Sequence, residues 1–256
     1  MKKLFVLIVV LGVCSYFFSS CSKDEKKESL GLLQKELTLT AGQSRQLTYD
    51  GECVWSSDEP LIAEVDEYGL VTAKRVGKTL IHAGDDLCDV TVNPKYYTYT
   101  EPITEWGITE SDIKDLMKGH KVMSSTDGGV MFEGSGIITS YLYIFENDKL
   151  SGSIAVSDIL LHGEEITNFL LERYVTIDVD KEDYMITMIS IDKKTAVGVK
   201  FISSSNTVLV IYIPFHENYQ SEILSTTKSL TKSIKDTKQE EQINIDDLFL
   251  KLSENH

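Results

Sequence analysis

The chain has 256 residues and a formal net charge of −15, a length that fits one or two domains beside any leader. So acidic a chain lacks the clustered Lys and Arg that grip phosphate, which argues against nucleic acid and against electrostatic attachment to anionic lipid. Its hydrophobic content of 42% and charged content of 25% are those of an ordinary folded protein.

Residues 1–20 read as a leader. Lys2-Lys3 is a positive n-region, and Leu4 to Phe18 is an apolar run of about 15 residues, short of the ~20 that a membrane span needs. Ser19-Ser20-Cys21 follows. Small residues before a cysteine resemble the lipobox at which bacterial lipoproteins are cut and acylated, with Phe18 in place of the usual leucine. The resemblance implies that Cys21 carries lipid and anchors the chain to a membrane, since several acyl chains hold far better than one. Ser22-Lys23-Asp24-Glu25 resembles the surface-export signal of lipoproteins from the Bacteroidetes group. It implies an outer-membrane location with display on the cell surface, the periplasmic face being the alternative. Residues 21–35 are then the acylated cysteine and a solvated tether.

From Glu36 to Pro94 the sequence alternates as half-buried strands do. Leu37 and Leu39, Leu47 and Tyr49, Cys53 and Trp55, Ala63 and Val65, Val71 and Ala73, Ile81 and Ala83, and Val90 and Val92 carry the pattern. Asp50-Gly51, Gly69, Gly77 and Gly84-Asp85-Asp86 mark turns. About seven short strands in about 55 residues predict a sandwich, with Trp55 as the plug between its sheets. Trp55-Ser56-Ser57, Ala63-Glu64-Val65-Asp66, Gly69-Leu70-Val71-Thr72-Ala73 and Val90-Thr91-Val92 together resemble a bacterial immunoglobulin-like domain of group 2. The resemblance covers a little under a quarter of the chain and implies a module, not an activity.

With Cys14 in the leader and Cys21 given to lipid, Cys53 and Cys88 remain. Both share parity with inward residues, so they are candidates for a disulfide that would close a loop of about 35 residues and add roughly 3–4 kcal/mol. The alternative is two buried free thiols. No histidine stands at ligand spacing from either, so no metal is expected.

Residues 95–220 form the second predicted domain, opened by the aromatic connector Lys95-Tyr96-Tyr97-Thr98-Tyr99. Tyr96, Tyr97, Tyr99 and Trp106 are a candidate ligand platform for a sugar, or else a packed hinge. Thr109 with Asp112 reads as a capping box that opens a helix with the stripe Ile113, Leu116 and Met117. Strands are expected at Gly128–Glu133, Thr139–Glu146 and Leu150–Val156, a second helix opening at Gly163-Glu164-Glu165, and strands at Tyr184–Ile191, Ala196–Ser203 and Thr207–Ile213. The predicted fold is thus an all-β immunoglobulin-like sandwich followed by an α+β domain. In the latter, two α-β-β-β units form an antiparallel sheet with its helices on one face, an arrangement similar to the beta-lactamase-inhibitor-like proteins. Residues 221–256 are expected to be a polar, partly helical tail, with Asp246–Leu252 as a short terminal helix or a frayed end.

The histidines are isolated, and no nucleophile elbow, phosphate loop or zinc helix is present. The acidic run Asp178 to Asp183 lacks the glycine of a calcium loop and reads as a solvated hairpin. The expectation is a cell-envelope lipoprotein without enzymatic activity or cofactor, acting in binding or adhesion toward a glycan or protein, with the sandwich as spacer. The alternatives are an enzyme whose site lies in the second domain, and an assembly or inhibitor protein facing the periplasm.

Overall fold

The structure is a computed structural model that describes residues 31–235, residue 217 apart. The leader, Cys21 and most of the tether lie outside the described residues, as does the segment Asp246–Leu252.

The first unit begins with β1 (Gly31–Leu32), β2 (Glu36–Thr40), β3 (Ser44–Gln46), β4 (Tyr49–Asp50) and β5 (Trp55–Ser57). It continues with β6 (Ala63–Val65), β7 (Leu70–Ala73), β8 (Gly77–Ala83) and β9 (Asp86–Asn93). One sheet has the order β2-β9-β8-β5 and the facing one β3-β7-β6, while β1 pairs with β4. β2 runs parallel to β9; the other pairs are antiparallel. This is an immunoglobulin-like sandwich. Alternation fills its centre with Leu47, Val71, Ile81, Ala83, Cys88 and Val90.

Three sequence expectations change here. The tether is shorter than predicted: Leu32 is 2% exposed in the sandwich core, and its amide donates to Asp86 Oδ2 at 2.9 Å. Trp55 is not the central plug. β5 is an edge strand, so Trp55 is only half-buried, packed edge-on to Tyr49 and against Gly69. Cys53 and Cys88 are both free. Cys53 abuts Gly84 at the β8–β9 turn, whereas Cys88 lies opposite Ile81 further along the ladder, so shared parity did not make them neighbours.

The second unit is one antiparallel sheet of eight strands, built in two similar halves. α1 (Glu110–Leu116) leads into β10 (Val122–Thr126), β11 (Gly129–Glu133), β12 (Ile138–Glu146) and β13 (Lys149–Asp158). α2 (Ile159–Leu171) leads into β14 (Tyr174–Asp180), β15 (Met185–Ser190), β16 (Thr195–Ile202) and β17 (Thr207–Pro214). The order β10-β11-β12-β13-β17-β16-β15-β14 places the last strand of each half at the central seam and the first at each edge. Each half therefore has four strands, not the three expected. The strands missed are those two edges: β10 is wholly exposed, and in β14 the alternation lasts only from Tyr174 to Ile177 before the acids begin. Both edges carry a register shift, at Val122/Ser124 and at Thr176/Asp178.

Local chemistry sets the helix ends. The Thr109–Asp112 capping box opens α1, burying Ile113 but leaving Leu116 55% exposed. α2 starts earlier than expected, because Asp158 Oδ1 accepts the amides of Leu160 and Leu161 at 2.8 and 3.2 Å; Gly163 lies inside the helix. α1 and α2 cover one sheet face, over a core that includes Phe132, Tyr143, Ile166, Phe169 and Tyr212. The opposite face carries α3 (Tyr219–Lys235), whose Ile223 is fully buried with Ile154, Leu209 and Ile211. Helices thus occupy both faces, and the second unit runs on past residue 220: the start of the expected tail is part of its core.

Candidate functional site: the joint between the two units

The sandwich is entered and left at opposite ends. The chain enters through β1, whose Leu32 is tied to Asp86 at the β8–β9 turn. It leaves after Asn93, beside Gly77 at the far end of the same hairpin. β9 has eight residues, so entry and exit lie roughly 23 Å apart at ~3.3 Å per residue.

At the exit the chain meets Glu172, the residue that ends α2. Its carboxylate is 6% exposed and accepts the backbone amides of Lys95 and Tyr96, both at 3.0 Å. Arg173 donates to the same carboxylate at 2.5 Å, donates to the Tyr96 carbonyl at 3.1 Å, and stacks 3.5 Å from the Phe169 ring centre. The sandwich is fastened from a second side: Val76 donates to the Glu172 carbonyl at 2.7 Å, and Arg75 Nε to the Tyr174 carbonyl at 3.1 Å. Ile191, from beyond β15, packs against the sandwich core. A buried carboxylate with charge-assisted partners on two elements fixes geometry strongly, because breaking any one leaves a buried charge or amide unmatched. The sequence offers Glu172-Arg173 only as an adjacent pair at a helix end, indistinguishable there from a surface pair.

The aromatic connector is absorbed into this joint and the core beside it. Tyr99 is 2% exposed, its hydroxyl 2.8 Å from that of Tyr212. Tyr96 and Trp106 are half-buried against the same core, and the Trp106 indole nitrogen has no hydrogen-bond partner. Only Tyr97 stands open, at 70% exposure. The four rings therefore do not form a ligand platform; of the two readings, the packed hinge describes Tyr96, Tyr99 and Trp106. Their spacing resembled a solvent-facing aromatic run because connector and core side chains share one stretch of sequence.

Beside Tyr99 lies a buried polar cluster. Tyr174 donates to Glu101, Tyr141 to the Thr100 carbonyl at 3.0 Å, and Ser153 to the Ile103 carbonyl at 2.6 Å. Burial raises the Glu101 pKa, against the pull of Tyr174 and Arg173. It also raises Tyr99, Tyr174 and Tyr212, and pushes Tyr143 up to about 12. Neutral hydroxyls thus pin residues 100–103 across the sheet: Tyr141, Ser153 and Tyr174 donate to the segment, and Tyr143 accepts the Ile103 amide at 3.3 Å.

Elsewhere the polar groups serve turns and surface pairs. His82 meets Asp58 at 2.7 Å, and His216 meets Glu222 at 2.9 Å. Asp180 accepts the amides of Glu182 and Asp183, both at 3.0 Å, closing the β14–β15 hairpin. Among the described residues no three His, Cys, Asp or Glu side chains group as metal ligands, and no helix is long and apolar enough to cross a membrane. A depression of about 600 Å³ at the entry end of the sandwich is walled by Tyr49, Trp55 and Tyr68, with Glu52 and Glu67.

No family model matches the chain, and no curated protein does. Among solved structures it is similar to a GH10 xylanase from termite gut that contains a bacterial Ig-like domain. That match has 24% identity over 31% of this chain and 23% of the other, with a TM-score of 0.20. It is also similar to domains 4–9 of the surface-layer protein SbsC, at 11% identity over 73% of this chain and 26% of the other, with a TM-score of 0.19. The chain spans about a quarter of the length of each. At these TM-scores neither likeness carries an argument, and the sandwich assignment stands on its own sheets.

Proposed function

We propose that this protein is a lipid-anchored, non-enzymatic component of the bacterial cell envelope, displayed at the surface. In this reading the sandwich, of the group 2 bacterial immunoglobulin-like kind, is a rigid spacer. The eight-stranded α+β unit is the head that it presents for binding or adhesion. The observation that supports it is the in-line path: the chain enters at one end of the sandwich, leaves at the other, and is fastened there to the head by Glu172, Val76 and Arg75. A spacer transmits position only if its outlet is fixed. A free linker would let the head wander over several residues' length, and here Lys95 and Tyr96 are held by a buried carboxylate. The leader and Cys21 supply the anchor. A glycan or an envelope protein is the ligand class that such a position brings within reach.

The test is to label intact cells with palmitate and shave them with protease. The reading expects lipid labelling that Cys21→Ala abolishes, and loss of the head from whole cells without lysis. Label persisting in the Cys21→Ala protein would sink the anchor, and a head resistant until the outer membrane is opened would sink surface display. Retention of the solubilised protein on immobilised envelope glycans or extracts, with no turnover of glycoside, ester or peptide substrates, is the expected ligand result. Steady turnover would replace binding with catalysis.

A further inference from the structure

The face of the eight-stranded sheet that carries α3 is only half covered among the described residues. α3 lies over β16 and β17: a Cβ on Gly198 would come 2.4 Å from Ile223, and Thr227 Oγ1 is 3.7 Å from Met185 Sδ. On the other side of α3 the same face continues over β13 and β12. There Leu142, Ile144 and Val156 are only half-buried, with Met131 on the same face opposite Leu142. Between them and the flank of α3 at Ser225 and Thr226 runs a groove of about 400 Å³, floored by Gly129, Leu142 and Ile144. It continues as a cavity of about 90 Å³ under Glu222, over Gly152, Ile154 and Ile211.

We propose that this groove is the docking site of the chain's own C-terminal segment, Ile243 to Leu252. Direction is the first argument. From Ile223 over Gly198 to Thr227 at Met185, the partner of Lys200, α3 runs the same way as β16. Lys235, the last described residue of α3, therefore lies near Ser203–Ser205, at the end of the sheet where β12 begins and β13 ends. Residues 236–242 are polar and long enough to reverse the chain there, which brings the next residues back along the groove.

Pattern is the second argument. Ile245, Leu248, Phe249 and Leu252 fall at the i, i+3, i+4, i+7 positions of one helical stripe, with Asp246, Asp247, Leu250 and Lys251 off it. Asn244 stands where a helix cap belongs. Spacing is the third. β12 is two strands from β17, about 9.6 Å at ~4.8 Å per strand, which matches the ~8–10 Å between packed helices. A second helix laid beside α3 would sit over Leu142 and Ile144 and give the second half of this face the cover that the first already has.

The experiment replaces Phe249 by photoreactive benzoylphenylalanine in the full-length chain, followed by irradiation and peptide mapping. An intramolecular crosslink to residues 129–144 or 225–226 is expected, and Ile144→Asp should abolish it. A crosslink to a second copy would make the groove an interface between molecules, and a crosslink to another protein would make it a partner's site. Either result, a crosslink elsewhere in the chain, or none at all, overturns the assignment. Thermal melts of Phe249→Asp, Ile144→Ser and the double variant give an independent reading. The double variant should lose less than the two single losses added together, and simple additivity counts against contact.

Discussion

At the scale of single residues, Glu101 makes stability depend on pH. Burial holds its folded pKa above the ordinary value of 4.5. A carboxyl raised on folding contributes stability fully below its unfolded pKa and loses it as pH rises through the folded value. The protein should therefore soften as pH climbs above 4.5 and through the raised folded value, and Glu101→Gln should flatten that decline. Thermal melts at a series of pH values check this; identical slopes in both proteins would mean that the carboxyl is not the source. Trp55 offers a second test. Because it sits at an edge strand, Trp55→Ala should cost no more than the lower end of the ~3–5 kcal/mol seen for buried aromatics. Gly69, with φ +85° and a Cβ position 2.6 Å from the Trp55 ring, should resist change more than its exposed turn suggests. Gly69→Ala should lose at least ~1 kcal/mol in urea melts through its left-handed backbone alone.

At the scale of elements, α3 depends on one close approach. Gly198 lets the helix lie directly on β16, and any side chain there must displace Ile223. Gly198→Val should cost ~1–3 kcal/mol by overpacking, read as a lower urea midpoint. The central strands of the second unit were legible in the sequence because Tyr141, Tyr143 and Phe145 alternate against Leu142 and Ile144, and both sets meet a covered face. α1 was legible from Thr109 and Asp112 alone. What escaped were elements whose neighbours decide them. Val122–Thr126 is wholly exposed and is a strand only because β11 pairs with it. In Tyr174–Asp180 the acids Asp178 and Asp180 read as the start of a solvated hairpin and hide the strand that β15 pairs with. Ile223, Leu224, Leu230 and Ile234 allow only a weakly amphipathic helix, too little to show that a Ser-, Thr- and Lys-rich segment belongs to a core. The joint was the least legible: its residues lie in four separate stretches of the chain, and only the fold brings Arg75, Lys95 and Glu172 together.

At the scale of the whole molecule, the joint decides whether the two units move as one. Glu172→Ala removes the acceptor for the Lys95 and Tyr96 amides and leaves Arg173 only its carbonyl partners on Phe169 and Tyr96, at about 1–3 kcal/mol for each buried group left unmatched. The expected outcome is two separated melting transitions in place of one, and a broader distance distribution in small-angle scattering. A variant with unchanged scattering would show that Val76 and Arg75 hold the units without it.

The two edges of the eight-stranded sheet carry one more consequence. β10 and β14 each break register once, and β14 adds Asp178 and Asp180 along its rim. A strand that breaks register is a poor template for a neighbour's backbone, and on β14 the acids add repulsion, so the β14 rim discourages a second sheet on two counts and the uncharged β10 rim on one. Many copies crowded side by side would then stay separate particles and would not zip into ribbons or fibrils. That resistance comes from two local irregularities, and straightening either one would be the quickest route to an aggregating protein.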